Sequence, residues 1–295
     1  MAEKKLVWQS KLVLLVVMPF AGAHVVLQTH WWARQVAPVA IWTVGLSVLL
    51  GLATWKLRAA TPWAAAAGAA IVASLTFSTV TVPYEPWHSA LVPVLAVAVL
   101  AFISTRLGRE QKERLGTAEK RHGRYASQVA ANLGLAAIVS SAFVQSVFVD
   151  SRWFAPAAAS PMLIFAIGLA ALAEAAADTV SSELGQVFGP HPRMITTLRQ
   201  VESGTDGAIS LIGTLAGVVA AAIVAAAGTF ALRGGRTMFA ISCAGAVFGL
   251  LFDSLLGATL EQRGWLNNDA VNFLSTAGAA GFALALLAVW PYPVA

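Results

Sequence analysis

Long apolar stretches separated by short polar ones dominate the chain, and nine of them come close to the roughly 20 residues that a helix needs to cross a bilayer's hydrocarbon core. They lie near 11–29, 36–55, 62–82, 89–107, 127–149, 160–178, 207–231, 237–256 and 270–290. Their Ala, Val, Leu and Gly runs suit close helix packing, and they lack the short-period alternation of an outer-membrane barrel. The pattern predicts an all-α, polytopic transmembrane helical bundle of about nine spans. The first stretch is read as a retained helix, because Gln28-Thr-His-Trp-Trp32 offers no small-residue cleavage site.

Composition agrees. Over 295 residues, 58% are hydrophobic and only 11% charged, against about a quarter charged in soluble domains. Cys243 is the only cysteine, which excludes an intramolecular disulfide and a thiolate metal cluster. With a cytoplasmic N-terminus, fifteen of the 19 Lys and Arg residues fall inside and only Arg34, Arg152, Arg233 and Arg236 outside, as the positive-inside bias requires. Topology and anionic membrane lipids then account for the net charge of +5, and nucleic acid is not an expected partner. The expected location is a prokaryotic cytoplasmic membrane, crossed several times.

This topology puts three polar segments, 106–128, 178–210 and 253–272, on the cytoplasmic side, where nucleotides and soluble phosphates are found. The outer loops are short and chemically thin. Residues 1–107 read as an N-terminal scaffold of about four spans, with Trp31, Trp32, Trp55, Trp63 and Trp87 at span ends. Residues 108–126 form a basic loop, and 127–295 a motif-bearing core of about five spans.

In the first polar segment, Arg124, Gln128 and Asn132 are spaced by four and stack on one helix face running into the membrane. Two readings stay open. The amides are interhelical glue, or Lys112, Lys120, Arg121 and Arg124 form a cationic wall for phosphate, with Asn132 fixing a ligand.

In the second segment, Glu174, Asp178 and Ser182 repeat every four residues beside Glu183. Carboxylates at a membrane border favour a hard divalent cation, with Asp178 the first candidate ligand and Glu183 the second. Glu174, one turn deeper, also reads as an ion-paired or protonated acid. Gly204-Thr205-Asp206-Gly207, followed by Ser210, opens the next span and turns backbone N–H groups toward the loop, a geometry suited to phosphate or simply to a capped turn. In the third segment, Asp253 is the lone carboxylate of a long apolar run, followed by Ser254, Asn272 and Ser275. Paired with Asp178, it has the chemistry to hold Mg2+ across two helices.

Taken in order, Asp178-Thr-Val-Ser-Ser-Glu-Leu-Gly, Pro192-Arg-Met-Ile-Thr196-Thr197, Gly204-Thr-Asp-Gly-Ala-Ile-Ser-Leu-Ile-Gly-Thr, Asp253-Ser-Leu-Leu-Gly-Ala-Thr and Asn272-Phe-Leu-Ser-Thr resemble the family of transmembrane protein 19 and the plant and cyanobacterial phytyl-phosphate kinases. His122-Gly-Arg-Tyr-Ala-Ser-Gln-Val-Ala-Ala-Asn132 resembles that family's entry into the next span, so the likeness covers about 105–290. It implies an Mg2+-dependent integral membrane kinase that moves a phosphoryl group from CTP or ATP, CTP first, onto an isoprenyl monophosphate lipid. On that reading Asp178, Asp253 and Glu183 hold the metal. Arg124, Arg193 and Arg199 meet phosphates, the 204–207 turn cradles the triphosphate, and Asn132 and Asn272 complete the polar floor. Asp206 stands where the family pattern often has Asn or Ser, which ranks it below Asp178 and Asp253 as a ligand. A transporter or lipid flippase, a CTP-dependent lipid cytidylyltransferase and a homo-oligomeric assembly all stay open.

Overall fold

The computed structural model describes residues 6–118, 122–150 and 161–289. Eleven helices make up most of these residues: α1 Val7–Gln35, α2 Ala37–Lys56, α3 Pro62–Ser78, α4 Leu91–Arg106, α5 Arg109–Leu115, α6 Ala126–Ser140, α7 Ala142–Asp150, α8 Pro161–Phe188, α9 Leu211–Ala231, α10 Arg236–Leu256 and α11 Asn268–Val289. A single two-residue ladder, β1 Arg193–Met194 against β2 Ala208–Ile209, is the only sheet among the described residues. The fold is the expected all-α membrane bundle.

Each expected apolar segment carries a helix where described, although 79–82 and 207–210 lie outside the helices, and six helices are long and apolar enough to cross a membrane, or seven if the bent α4–α5 pair is one span. α3 and α6 are shorter, at 17 and 15 residues. The segment expected as one span over 127–149 is broken at Ser141. There the backbone turns extended, the Ser141 hydroxyl accepts the Val144 N–H, and the Gln145 side chain donates to the Ser140 carbonyl at 2.7 Å. Such side-chain bonds offer the backbone an alternative to the helical ladder. α8, by contrast, outruns its expected end at 178 by ten residues.

Local chemistry starts the helices where they start. Thr61 caps α3 by accepting the Ala64 N–H, with Pro62 next to it. Ser210 caps α9 in the same way through the Gly213 N–H at 3.1 Å.

α8 is the central column, packed against α4, α6, α9, α10 and α11. Its buried face is almost continuous alanine, from Ala166 to Ala177, which lets neighbouring helices approach closely. From Pro161 to Asp178 it rises about 26 Å at 1.5 Å per residue, most of a roughly 30 Å hydrocarbon layer. Asp178 therefore stands at the border.

The polar segments collect at that end of the bundle. Gln9 at the start of α1 bonds the Trp265 carbonyl and the Asn267 N–H, both at 2.8 Å. Gln111 reaches the Val187 carbonyl, and the Gln262 amide donates to the Asp206 carbonyl at 2.8 Å. At the opposite end the Arg233–Glu85 ion pair at 2.8 Å ties the loops together.

Candidate active site

The helical extension of α8 builds the first wall of the site. Asp178, Ser181, Ser182, Gly185 and Gln186 follow the three-to-four residue spacing of one helix face, and all five line a polar pocket of about 210 Å³. Ser182 donates to Asp178 Oδ1 at 3.3 Å. Asp253 and Ser254 from α10, Asn268 and Asn272 from α11, and the 203–208 loop complete the lining.

α10 does not stop at Leu256 but widens into a π-helical turn, Gly257–Glu261. Asp253, Gly257 and Glu261 thus run i, i+4, i+8 down one side, and Glu261 also lines the pocket. Nothing in the apolar sequence pattern singles out Glu261. Its spacing from Asp253 was the available signal, hidden because the apolar pattern had already ended. π turns of this kind recur at functional sites.

The Gly204–Gly207 turn sits directly on this π turn. Gly204 and Gly207 adopt φ of +88° and +74°, and a β-carbon on Gly207 would lie 2.2 Å from the Ala258 nitrogen. Only glycine allows that approach. Burial between these two segments pushes the Asp206 carboxyl above its ordinary range.

Deeper in, Glu174 is 1% exposed. Gly249 of α10 makes room for it, since a β-carbon there would lie 2.5 Å from Glu174 Cγ. Glu174, Asp178, Asp253 and Glu261 are close enough for Asp253 to feel the charge of the other three. Glu174 Oε1 and Asp253 Oδ2 are buried without a hydrogen-bond partner. Ser275, also buried, lies against both carboxylates and donates to the Asn272 carbonyl at 3.0 Å.

An acidic pocket with orphaned carboxylate oxygens is the surrounding a hard cation satisfies. Among the described residues no three His, Cys, Asp or Glu side chains come together as ligands for one ion. Asp178 and Asp253 offer hard oxygen donors from two helices, short of a dedicated metal cage.

Other expected site residues are placed differently. Lys112 is 1% exposed and its ammonium is consumed by the Ser104 and Thr105 carbonyls and by an ion pair with Glu183. Buried and fully bonded, Lys112 is no open phosphate receptor. Glu183 turns to Lys112 and away from the pocket that Asp178 and Asp253 share. Gln128 accepts the Tyr125 N–H at 2.7 Å as part of the α6 cap. Arg193 donates to the Leu198 carbonyl at 2.9 Å, and Arg193, Thr196, Thr197 and Arg199 lie exposed on the hairpin loop, off the pocket lining. Thr205, Asp206, Gly207 and Ser210 do line it. Lys120 and Arg121 lie outside the described residues.

Beside the polar pocket lies a larger, mainly apolar cavity of about 560 Å³ between α2, α3, α4 and α6. Arg124 and Asn132 line it, and both reach toward the polar side. Arg124 donates to Thr179 Oγ1 at 3.3 Å, next to Asp178. Asn132 Oδ1 accepts from Asn272 Nδ2 at 2.9 Å, and Asn272 lines the polar pocket. The two cavities share this wall.

Residues 45–280 match the integral membrane protein family DUF92. The chain belongs to that family. It is 45% identical over 108 residues to the uncharacterised membrane protein MJ0933 of Methanocaldococcus jannaschii, covering 37% of this chain and 45% of the relative. Against the uncharacterised membrane protein sll0875 of Synechocystis it is 32% identical over 209 residues, 68% and 74% of the two chains. Against protein VTE6, chloroplastic, of Arabidopsis thaliana it is 31% identical over 186 residues, 62% of this chain and 54% of the relative. The chain thus spans about half the length of MJ0933 and of VTE6. No solved structure matches. The family expected from the polar motifs is the one found.

Proposed function

We propose that this family member is an integral membrane phosphotransferase that moves the terminal phosphoryl group of a nucleoside triphosphate, CTP in first place, onto an isoprenyl monophosphate. The observation that carries this reading is the shared wall. An acidic, glycine-cradled pocket fit for a metal–triphosphate adjoins an apolar cavity fit for a lipid tail, with Arg124 and the Asn132–Asn272 pair between them. The motif resemblance to phytyl-phosphate kinases and the kinship with VTE6 point the same way.

No special base is needed, because a monophosphate oxygen is already largely ionised at neutral pH. That oxygen bonds to the γ-phosphorus as the bond to the β–γ bridging oxygen breaks, and the nucleoside diphosphate leaves. Alignment and charge neutralisation do most of the catalysis in such transfers. Bound Mg2+ supplies neutralisation of the triphosphate charge, with Asp178 and Asp253 the residues that would hold it. Arg124 steadies the acceptor phosphate across the wall, and the N–H groups of the 204–207 turn and the start of α9 face the triphosphate. This arrangement operates at the cytoplasmic face, where the triphosphate is available.

The test is incubation of the purified protein with Mg2+, CTP or ATP and a series of prenyl monophosphates, with all products resolved. Prenyl diphosphate and nucleoside diphosphate are expected. Release of pyrophosphate would instead establish a cytidylyltransferase, and no product with either donor would overturn both.

A further inference from the structure

Among the described residues, three side-chain amides line the polar pocket: Gln186, Asn268 and Asn272. Asn272 spends an N–H on Asn132, and Asn268 stands exposed at the start of α11. Gln186 is half-buried, eight residues beyond Asp178 on α8 and so about 12 Å further toward the cytoplasm at 1.5 Å per residue.

The segments around Gln186 hold it in place. Thr117, just past α5, donates its hydroxyl to Gln186 Oε1 at 2.6 Å. Gln111 of α5 and Ser203 donate to the Gln186 carbonyl at 3.4 and 3.5 Å, filling a last-turn acceptor that the helix itself leaves open. Thr117 in turn packs onto Gly204, where a β-carbon would lie 2.6 Å from Thr117 Cγ2. With Oε1 committed, the two N–H donors of the Gln186 amide have no partner among the described residues.

A triphosphate whose transferred end lies at Asp178 and Asp253 puts its nucleoside at the outer end of the pocket, beside Gln186. A neutral amide with unspent donors suits a nucleobase there, whereas a phosphate would call for Lys or Arg, and neither lines this pocket among the described residues. We propose that Gln186, oriented by Thr117, selects the nucleobase of the donor by giving its N–H groups to O2 and N3 of cytosine. Cytosine alone places two acceptors side by side on its Watson–Crick edge; adenine sets one beside an amino donor, and guanine and uracil set N–H groups beside their carbonyls. A site built to hydrogen-bond a substrate group discriminates against a substrate lacking it. The assignment rests on the phosphotransferase reading for the direction in which the nucleotide lies.

Equilibrium binding of CTP, ATP and inorganic tripolyphosphate to the purified full chain with Mg2+ tests it. The native protein is expected to bind CTP more tightly than ATP or tripolyphosphate. Gln186→Met, similar in length but without donors, should weaken CTP binding about three- to tenfold, the scale of one hydrogen bond, and leave ATP and tripolyphosphate within about twofold. Thr117→Val should lose part of the same preference, and Thr117→Ser should keep it. An unchanged preference for CTP in Gln186→Met, an equal loss for all three ligands, or equal affinity of the native protein for CTP and ATP overturns the assignment. Selective binding that Gln186→Met abolishes, without any transfer to a prenyl monophosphate, removes the kinase reading and leaves this subsite standing. Transfer from CTP with a preference that Gln186→Met does not touch does the reverse.

Discussion

Replacing Asp253 by asparagine should make the unliganded protein more stable and the enzyme inactive. Asp253 Oδ2 is buried without a partner, and Glu174, Asp178 and Glu261 all bear on the same carboxylate. An unsatisfied buried polar atom costs about 1–3 kcal/mol. An amide removes the like-charge repulsion and offers N–H donors to the neighbouring carboxylates. At about 1.6 °C per kcal/mol for 295 residues, from an unfolding entropy of about 2.1 cal/mol/K per residue, Asp253→Asn should raise the Tm by about 2–5 °C without divalent cation or nucleotide. Unfolding followed through the ten tryptophans in detergent measures this. Adding Mg2+ with nucleotide then reverses the order: the native protein gains about 2.7 kcal/mol at a hundredfold excess over Kd, and the variant gains little. A lower melting temperature in the unliganded variant, or an equal gain in both proteins, would refute the reasoning.

Four further outcomes follow from the same geometry. Glu183→Gln should destabilise the fold by about 3 kcal/mol through the buried Lys112 it leaves uncompensated, with activity per folded molecule largely kept; equilibrium unfolding and active-site-normalised rates separate the two. Gly207→Ala should cut turnover at least a hundredfold with little change in helix content by circular dichroism, because its β-carbon drives the turn off Ala258. Asp206, whose carboxyl is raised by burial, contributes stability below its ordinary value of 3.8 that is lost as pH rises through the raised one. The melting temperature of Asp206→Asn, measured from pH 4 to pH 7.5, should therefore gain on the native protein as pH rises. Asn132→Leu should orphan Asn272 and slow transfer, and a double-mutant cycle with Asn272→Leu should show coupling of about 1 kcal/mol.

The bundle was legible because membrane helices announce themselves by length and apolarity alone. The break at Ser141 was not, since the Ser141 hydroxyl and the Gln145 amide, the latter on the Ser140 carbonyl, decide it inside a stretch without a charge or a proline. Asp178, Asp253, Asn272 and the 204–207 turn were legible because a polar group in hydrocarbon is expensive without a purpose. Lys112 and Glu183 carry the same charge signal but satisfy each other, and sequence spacing cannot distinguish a paired charge from one awaiting a ligand. Glu261 was hidden because the apolar pattern ends before the π turn that carries it. Arg58 and Arg106, which line the larger cavity, were hidden by the positive-inside bias, which explains any basic residue at such a helix end whether or not a cavity lies beneath it.

The central claim is that the two cavities exchange a phosphoryl group across Arg124 and the asparagine pair. The most direct measurement supplies CTP labelled in its γ-phosphate together with phytyl monophosphate to the native protein and to Asp178→Asn, and locates the label. Label is expected in the terminal phosphate of a prenyl diphosphate, with CDP released, from the native protein only. Label remaining in CTP or appearing as free phosphate, or equal transfer by Asp178→Asn, would contradict it.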